Sequence, residues 1–442
     1  MPFTYVGTSK NPAMPPRNKT HHGCCPRGNK AGALPLELLL EIAARSDAAA
    51  LFRFAATCRL LRREIVSPAF VRRVRDADER RRGGMLLLGF LNESGACASS
   101  FSLVHPRTPA AVSFAGDSLA PVLSRGGGLL QRYIPMTSRG GLVLLTRRYS
   151  YALKSFKANL PDMCVYDPMT DARTFLPYPP DMGRPDQHDH AYVLLTAADG
   201  IGCSFLVVVL KMHSLFDMTE GHRYFTLQAT VSGGQWGPAF RGNDPSLPQA
   251  SVMIMRRQDG AVVLDGVVHW LVMGINDYAV FTYDAVRAKT LRAIKLPQDF
   301  GTCCGCGPYL RSSPEGKLSV LGTRGFVVYF WVLSSEGSWA RHGEVNTSPM
   351  LRPLLEPSEL MDCYGNEFSE WPQGIKVQGI GDKRSRVVLL RLPDLRRHSA
   401  SRRALFVLDM DTMKILKIAE NEMSLIPYEV ELYSRLSTMK TF

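Results

Sequence analysis

Histidine and cysteine, which often bind transition metals, are concentrated in three short stretches. His21 to Cys25 reads HHGCC, but no predicted helix or strand there would fix a tetrahedral geometry. Cys303 to Cys306 holds one Cys-x-x-Cys pair, whereas a closed zinc site needs a second pair, and the next cysteine is Cys363. Asp186 to His190, DQHDH, lies between proline-rich sequence and a strand pattern, which predicts a solvated loop. Phosphate-loop and dinucleotide fingerprints are also absent, so we predict no metal site and no cofactor.

A serine nucleophile is the other chemistry that the sequence raises. Gly116 to Leu119 reads GDSL, which resembles the nucleophile block of a family of lipases and esterases, with Ser118 as the nucleophile. Such a serine needs a base and an acid that orients the base. That family supplies both from an Asp-x-x-His near the C-terminus, and this sequence contains no Asp-x-x-His. A hydrolase using Ser118 is therefore an alternative, and a polar turn is the simpler interpretation.

The composition is typical of a globular protein. The chain has 442 residues, 45% of them apolar and 21% charged, which suits two domains or one large one. Its longest apolar runs, such as Phe326 to Leu333, are shorter than the roughly 20 residues of a membrane-spanning helix. The N-terminus lacks a secretion-signal pattern, so we expect the ten cysteines to be reduced and the protein to reside in the nucleus or cytoplasm.

The formal net charge of +13 raises nucleic-acid binding as a second alternative. Residues 1–33 carry five basic residues and no acid, and Arg59 to Arg82 carries nine arginines against four acids. The other basic residues are dispersed, and no basic stripe interleaved with aromatic residues is present. Solvated faces and tails therefore explain the charge more simply.

The chain divides into three parts by sequence pattern. Residues 1–33 mix Pro, Gly, Asn and Lys without periodicity, which predicts a disordered leader. Residues 34–82 predict three short helices, the first with Pro35 in its first position and a stripe of Leu36, Leu39, Leu40 and Ala43. Asp47 is a candidate N-cap of the second helix. So small a helical unit leaves apolar surface uncovered and therefore needs a partner.

The helical part resembles an F-box, the module that docks substrate receptors onto the Skp-family adaptor of cullin-based ubiquitin ligases. The resemblance covers Leu34 to Phe70 and rests on the joint spacing of Leu34, Pro35, Leu38, Leu39, Glu41, Ile42, Leu51, Arg53, Ala55, Cys58, Arg59, Arg62, Ile65, Pro68 and Phe70. The sequence departs from the usual pattern at Ser46, Thr57 and Leu61. A generic amphipathic helical unit packed on the next domain is the alternative interpretation. The resemblance implies an adaptor-binding surface formed by Leu34, Pro35, Leu38, Leu39, Ile42, Leu51, Cys58, Leu61 and Pro68.

From residue 85 to residue 442 the pattern predicts β-structure. Short apolar runs recur between Gly, Pro, Asp and Ser, and Asp265-Gly266 predicts a two-residue hairpin turn. His269, next to Trp270, is expected in a half-buried strand with its ring hydrogen-bonded to a neighbour. These features predict an α+β chain in which the three helices precede an all-β domain. We expect that domain to be an irregular β-propeller, with a large β-sandwich as the alternative.

A repeated phrase supports the propeller. Strand, Asp, turn, strand and Pro follow one another at Val165 to Pro177 and at Thr282 to Pro297, and a weaker copy lies at Val407 to Ile418. The Asp side chain is expected to hydrogen-bond the backbone of its own turn. The residue before it, Tyr166, Tyr283 or Leu408, is expected to pack against the turn. Units of about 40 to 50 residues would give seven or eight blades, so the phrase would mark every third blade.

The β-rich part also resembles the domains that follow F-boxes in large plant families. The features that carry this likeness are DGVVHWL (Asp265 to Leu271), the Tyr-Asp hairpins and the strand at Val327 to Trp339. Together the two resemblances imply a non-catalytic receptor that binds a Skp-family adaptor, and through it a cullin, while the β domain binds an unknown protein target.

Overall fold

The computed structural model describes 24 stretches of the chain. They are residues 34–46, 51, 54–55, 58–79, 85–92, 103–104, 133–147, 162–168, 170–182, 190–212, 225–230, 234–242, 253–254, 261–273, 278–287, 289–297, 300, 307–313, 315–355, 374–380, 387–392, 404–410, 412–420 and 425–431. The leader predicted over residues 1–33 lies outside them.

Helices are few and short. The described residues include four helices with bounds, three near the N-terminus and one late in the chain: α1 Leu36–Arg45, α2 Arg59–Ile65, α3 Pro68–Glu79 and α4 Ser348–Leu351. Leu51, Phe54 and Ala55, between α1 and α2, are also helical. Three 3₁₀ turns span Pro180–Met182, Ala197–Asp199 and Arg352–Leu354. None of the helices in the described part of the chain combines the length and apolar character needed to cross a membrane.

Within the described residues, 24 strands pair antiparallel in six sheets. The closing sheet contains β1 Met85–Asn92, β2 Leu103–Val104 and β24 Leu425–Glu431. Blade 1 contains β3 Tyr133–Arg139, β4 Leu142–Arg147, β5 Met163–Asp167 and β6 Ala172–Leu176. Blade 2 contains β7 His190–Thr196, β8 Phe205–Met212, β9 Phe225–Ala229 and β10 Phe240–Gly242.

The other three blades follow in chain order. Blade 3 contains β11 Met253–Ile254, β12 Ala261–Leu264, β13 Val267–Met273, β14 Tyr278–Asp284 and β15 Lys289–Lys295. Blade 4 contains β16 Tyr309–Ser312, β17 Leu318–Arg324, β18 Val327–Leu333 and β19 Trp339–Asn346. Blade 5 contains β20 Lys376–Ile380, β21 Val387–Arg391, β22 Ala404–Asp409 and β23 Lys414–Glu420.

The six sheets form a ring. One strand of each sheet contacts its counterpart in the sheets on both sides, in the cyclic order β24, β3, β7, β12, β16, β20. The ring closes because β24, from the C-terminal end of the described chain, pairs with β1, with Met85 opposite Glu431. Five blades of four or more strands and a three-stranded closing sheet therefore form a β-propeller. The predicted propeller is confirmed, and the alternative of a β-sandwich is wrong.

The predicted number of blades is also wrong. The five complete blades run from Tyr133 to Glu420, which is roughly 60 residues a blade instead of the 40 to 50 assumed. The repeated phrase forms the hairpins β5–β6, β14–β15 and β22–β23, so it marks every second blade. Asp284 does bond its turn, since its carboxylate accepts from the N–H groups of Val286 and Arg287 at 3.1 and 2.9 Å.

The two faces of the ring differ. At one face the inner strand of a blade turns into the next strand through as few as two residues, Gly140-Gly141 between β3 and β4 and Asp265-Gly266 between β12 and β13. At the other face lie the connections between blades, among them residues 347–355 after blade 4. The C-terminal ends of β3, β7 and β12 meet at the first face, where Arg139 bonds both Asp199 and the Val263 carbonyl. We call these the short-turn face and the long-connection face.

Candidate functional site

Helix α1 has two apolar faces, and only one of them is buried. Ala43 is fully buried and Leu39 and Leu40 are partly buried, all in contact with the core. Leu34, Leu38 and Ile42, spaced four residues apart, are 51%, 50% and 45% exposed. Leu38 and Ile42 lie one turn apart on the same face of α1, and Leu34 lies just before the helix, two residues ahead of Leu36. We call these three residues the leucine stripe.

Local chemistry explains where α1 begins and ends. Pro35 immediately precedes the first helical residue, and its carbonyl accepts from the Leu39 N–H at 3.1 Å. Glu37 lies in the first turn and Arg45 in the last, which complements the helix dipole at both ends. At the C-terminal end the Ser46 hydroxyl donates to the Ile42 carbonyl at 2.7 Å.

The other residues of the predicted adaptor surface divide into exposed and buried ones. Pro35, Cys58 and Pro68 are exposed, and Leu39 is half-buried. Leu51 and Leu61 are only 1% and 8% exposed, because they belong to the core that holds the helices together. Leu51 and Leu61 therefore stabilise the packing of the helices and do not lie on the exposed surface. The departure at Ser46 lies at the end of α1, whereas Thr57 and the candidate cap Asp47 lie outside the described residues.

The sequence reasoning missed one exposed leucine. Leu60 on α2 is 47% exposed, while its neighbour Leu61 is buried. Helix α2 begins directly after Cys58, whose sulfur accepts from the Leu61 N–H at 3.4 Å. With this cap fixed, a period of 3.6 residues puts Leu61 and Ile65 on the inner face and Leu60 on the outer one.

Arg73 on α3 contacts α1 through polar groups. Its guanidinium lies 3.4 Å from the Glu41 carboxylate and donates to the Leu40 carbonyl at 3.4 Å. The same group lies over the Phe70 ring, 5.4 Å from the ring centre. Glu41 also pairs with Arg45 at 2.9 Å. These contacts are exposed and individually weak, so they supplement the packing of α1 against the core.

The helices and the propeller share one core. A single cluster of buried side chains includes Ile65 and Phe70 from the helices, Val430 from the closing sheet, and Val143 and Tyr166 from blade 1. Because β1 starts opposite Glu431, at the end of β24, the chain enters the propeller from the helices at the short-turn face. The long-connection face lies at the other end of the ring.

The candidates for catalysis and metal binding are mostly outside the described residues. These are Ser118, His21 to Cys25, Cys303 to Cys306 and the first four residues of the DQHDH stretch. Among the residues that are described, no group of three His, Cys, Asp or Glu side chains could hold a metal ion. The three cysteines that the structure describes, Cys58, Cys164 and Cys203, are free thiols.

His190 begins β7, so the prediction of a solvated loop is wrong for this residue. Its Nε2 lies 2.9 Å from the Met182 carbonyl, which can only accept, so Nε2 carries a proton. Its Nδ1 lies 3.3 Å from the Tyr178 hydroxyl, which in turn accepts from the Tyr192 hydroxyl at 3.3 Å. Burial raises the pKa of Tyr192 to about 12, against the opposing effect of its bond to Tyr178. This chain of bonds attaches the connection between blades 1 and 2 to β7.

His269 occupies the half-buried strand position predicted for it. It lies in β13, and its Nδ1 donates to the Val262 carbonyl of β12 at 3.3 Å. Burial lowers the pKa of His269 to about 4, although bonds to the Val262 and Val267 carbonyls act in the opposite direction. A neutral, hydrogen-bonded imidazole is therefore part of the sheet.

The β-propeller corresponds to a known sequence family. The model of DUF7595, described as a domain of unknown function, matches residues 104–442. The chain belongs to this family. The match covers all five blades and β24 but not the helices, and no F-box model matches residues 34–82. No curated protein sequence matches the chain.

Solved structures resemble this DUF7595 protein only distantly. A member of the DUF4221 family from Bacteroides vulgatus is 11% identical, with a TM-score of 0.34, over 64% of this chain and 80% of that one. The Aleuria aurantia lectin is 12% identical, with a TM-score of 0.32, over 67% and 77%. An α-L-arabinanase from Penicillium chrysogenum is 11% identical, with a TM-score of 0.30, over 64% and 71%. Similarities this low support no inference about function.

Proposed function

We propose that this protein is the substrate-recognition subunit of a Skp-cullin-F-box type ubiquitin ligase. In this proposal the helices dock a Skp-family adaptor, the adaptor links them to a cullin, and the propeller holds a protein target. The observation that carries the proposal is the leucine stripe, since a helix with a second, uncovered apolar face has a surface for another protein.

The energetics favour coverage of the stripe by a partner. Burying a whole Leu or Ile side chain is worth about 1.5 to 3 kcal/mol, so the half that is still exposed on each residue is worth about 1 kcal/mol. Three such residues, together with Leu60, would form the apolar centre of a docking surface. Leu51 and Leu61 contribute by keeping the helices rigid before the partner arrives.

The propeller would hold the target in a fixed position relative to the adaptor. The shared core of helices, closing sheet and blade 1 makes the two parts one packed body. A target on the long-connection face would lie at the end of the ring opposite to the entry of the helices. The chain itself would make no covalent bond, because acceleration of ubiquitin transfer would come from effective concentration and orientation. Such a receptor would act in the nucleus or cytoplasm.

The test is binding of the purified full-length protein to a purified Skp-family adaptor. Replacing Leu38 and Ile42 together with Asp should weaken binding by at least about a hundredfold, because two charges would be buried in an apolar interface. Since both residues are about half exposed, the variant should keep the unfolding midpoint of the wild-type protein.

The matched control replaces Met413 and Leu416 with Asp. These residues of blade 5 are 41% and 42% exposed, so the control makes the same chemical change on the propeller surface. It should bind the adaptor as the wild-type protein does. Adaptor binding that survives the Leu38 and Ile42 substitutions, or a wild-type protein that never binds, would contradict the proposed function.

A further inference from the structure

Arginine side chains flank the exposed apolar residues of the helices. On α2, Leu60 lies directly after Arg59 and three residues before Arg63, so all three are on or beside one helix face. Arg59 is exposed, and the Arg63 side chain is 75% exposed. On α1, Arg45 follows Ile42 by three residues and is also 75% exposed. We call Arg45, Arg59 and Arg63 the arginine rim.

The charge of the rim is not balanced within α2. This helix contains three arginines and one glutamate, and no acidic residue lies in its first turn. Glu64 pairs with Arg63 at 3.0 Å, which leaves Arg59 and the half-buried Arg62 as excess positive charge. The ion pairs of Arg45 and Arg63 are exposed, so solvent weakens them and an approaching partner can compete for both arginines.

We propose that the arginine rim selects an acidic protein surface with an apolar centre and accelerates its association with the helices. This inference rests on the proposed function and adds the chemistry of the partner. The rim would attract acidic groups at a distance, and Leu60 with the leucine stripe would then be buried at the centre of the contact.

A protein partner fits this surface better than a nucleic acid does. Leu34, Leu38, Ile42 and Leu60 are each about half exposed, and a phosphate backbone offers them no apolar contact. An acidic protein surface can satisfy both the arginines and the leucines.

Arg59 permits a test in which stability and binding change in opposite directions. It is the first residue of α2, where a positive charge opposes the helix dipole. Arg59→Glu should therefore keep or slightly raise the unfolding midpoint of the protein. A loss of binding in this variant could not be explained by unfolding of the helix.

The experiment measures the association rate of the full chain with a purified Skp-family adaptor at low and high salt. Between about 50 and 500 mM NaCl the wild-type rate should fall about tenfold, because salt screens the attraction. The double variant Arg59→Glu and Arg63→Glu should associate about tenfold more slowly at low salt and approach the wild-type rate at high salt. The control Arg241→Glu and Arg324→Glu, which reverses two exposed arginines of the propeller, should change the rate less than about twofold.

Each other outcome overturns the inference. Salt-independent association, or equal losses in the rim variant and the control, would show that the rim has no role. Tight binding of a DNA duplex that depends on Arg59 and Arg63 would assign the rim to nucleic acid. If the wild-type protein binds no adaptor at any salt concentration, both the proposed function and the proposed role of the arginine rim are contradicted. If the protein binds the adaptor but the association rate does not depend on Arg59, only the proposed role of the arginine rim is contradicted.

Discussion

Arg139 and Asp199 form a buried, bidentate ion pair that joins the inner strands of two neighbouring blades. The Nε and Nη2 atoms of Arg139 donate to the two carboxylate oxygens of Asp199 at 3.0 and 2.7 Å. Nη2 also donates to the Val263 carbonyl in blade 3 at 3.2 Å, and the two side chains are 11% and 2% exposed. One guanidinium thus connects three consecutive blades at the short-turn face.

Removing one partner of this pair should destabilise the propeller strongly. Asp199→Ala leaves the Arg139 charge buried without its partner, which costs about 3 to 5 kcal/mol of unfolding free energy. Urea unfolding followed by circular dichroism measures the change. The double variant Arg139→Met and Asp199→Ala should be more stable than Asp199→Ala alone, because it removes the unpaired charge. Equal stability of the two variants would contradict a role of the pair as a buried clamp.

The turn at Gly266 should tolerate no side chain. Gly266 has a φ of 78°, and a Cβ atom there would lie 2.6 Å from Val286 Cγ2 and 3.0 Å from the Asp199 carbonyl oxygen. Gly266→Ala should cost about 2 kcal/mol, part of it from the left-handed backbone and part from the clash.

The two contributions can be separated by a second substitution. Val286 is 53% exposed, so Val286→Ala alone should change the unfolding free energy by less than about 0.5 kcal/mol. In the Gly266→Ala background the same change should recover part of the loss, since it removes the nearest contact. Additive effects in this double-mutant cycle would mean that the two residues do not clash.

Local signals in the sequence predicted local structure well. Asp265-Gly266 forms the expected two-residue turn, with φ values of 49° and 78°, because few other residue pairs accept positive φ at both positions. His269 was expected to be hydrogen-bonded in a strand, and it is. Both predictions depend only on neighbours in the chain.

Properties that depend on the whole ring could not be predicted in the same way. The repeated phrase around Tyr166, Tyr283 and Leu408 marks alternate blades, so its period does not give the blade length. The adjacent leucines Leu60 and Leu61 satisfy a helical pattern equally well, and only the start of α2 after Cys58 decides which one is exposed. Helical spacing predicted the row of Leu36, Leu39, Leu40 and Ala43, which contacts the core, whereas Leu34, Leu38 and Ile42 were named only as part of the surface that the F-box resemblance implies.

His269 should make the protein less stable in acid. Because burial lowers its pKa to about 4 and the unfolded value is about 6.5, the unfolded chain binds more protons between these two pH values. Stability from this residue is therefore complete above about pH 6.5, falls as the pH drops towards 4, and changes no further below that. The full loss amounts to about 3 kcal/mol.

A neutral replacement isolates this contribution from that of other groups. Urea unfolding of the wild-type protein and of His269→Gln at pH 7 and pH 4.5 gives two differences in free energy. The wild-type protein should lose more stability than the variant over this interval. Equal losses would mean that His269 titrates in the folded protein as it does in the unfolded chain.

The strand β24 should be indispensable for closure of the ring. Leu425 to Val430 are all buried, and β24 is the neighbour of β3 on one side and of β20 on the other. A chain that ends at residue 424 would leave β1 without its main partner and would expose apolar surface of blades 1 and 5. Such a chain should lose cooperative unfolding and should be digested rapidly in limited proteolysis. Tyr428→Phe is the matched control, because it keeps β24 and removes the hydroxyl that donates to the Gly141 carbonyl at 3.2 Å, and it should cost about 1 kcal/mol. Cooperative unfolding of the truncated chain would contradict closure by β24, since the five complete blades would then be stable as an open arc.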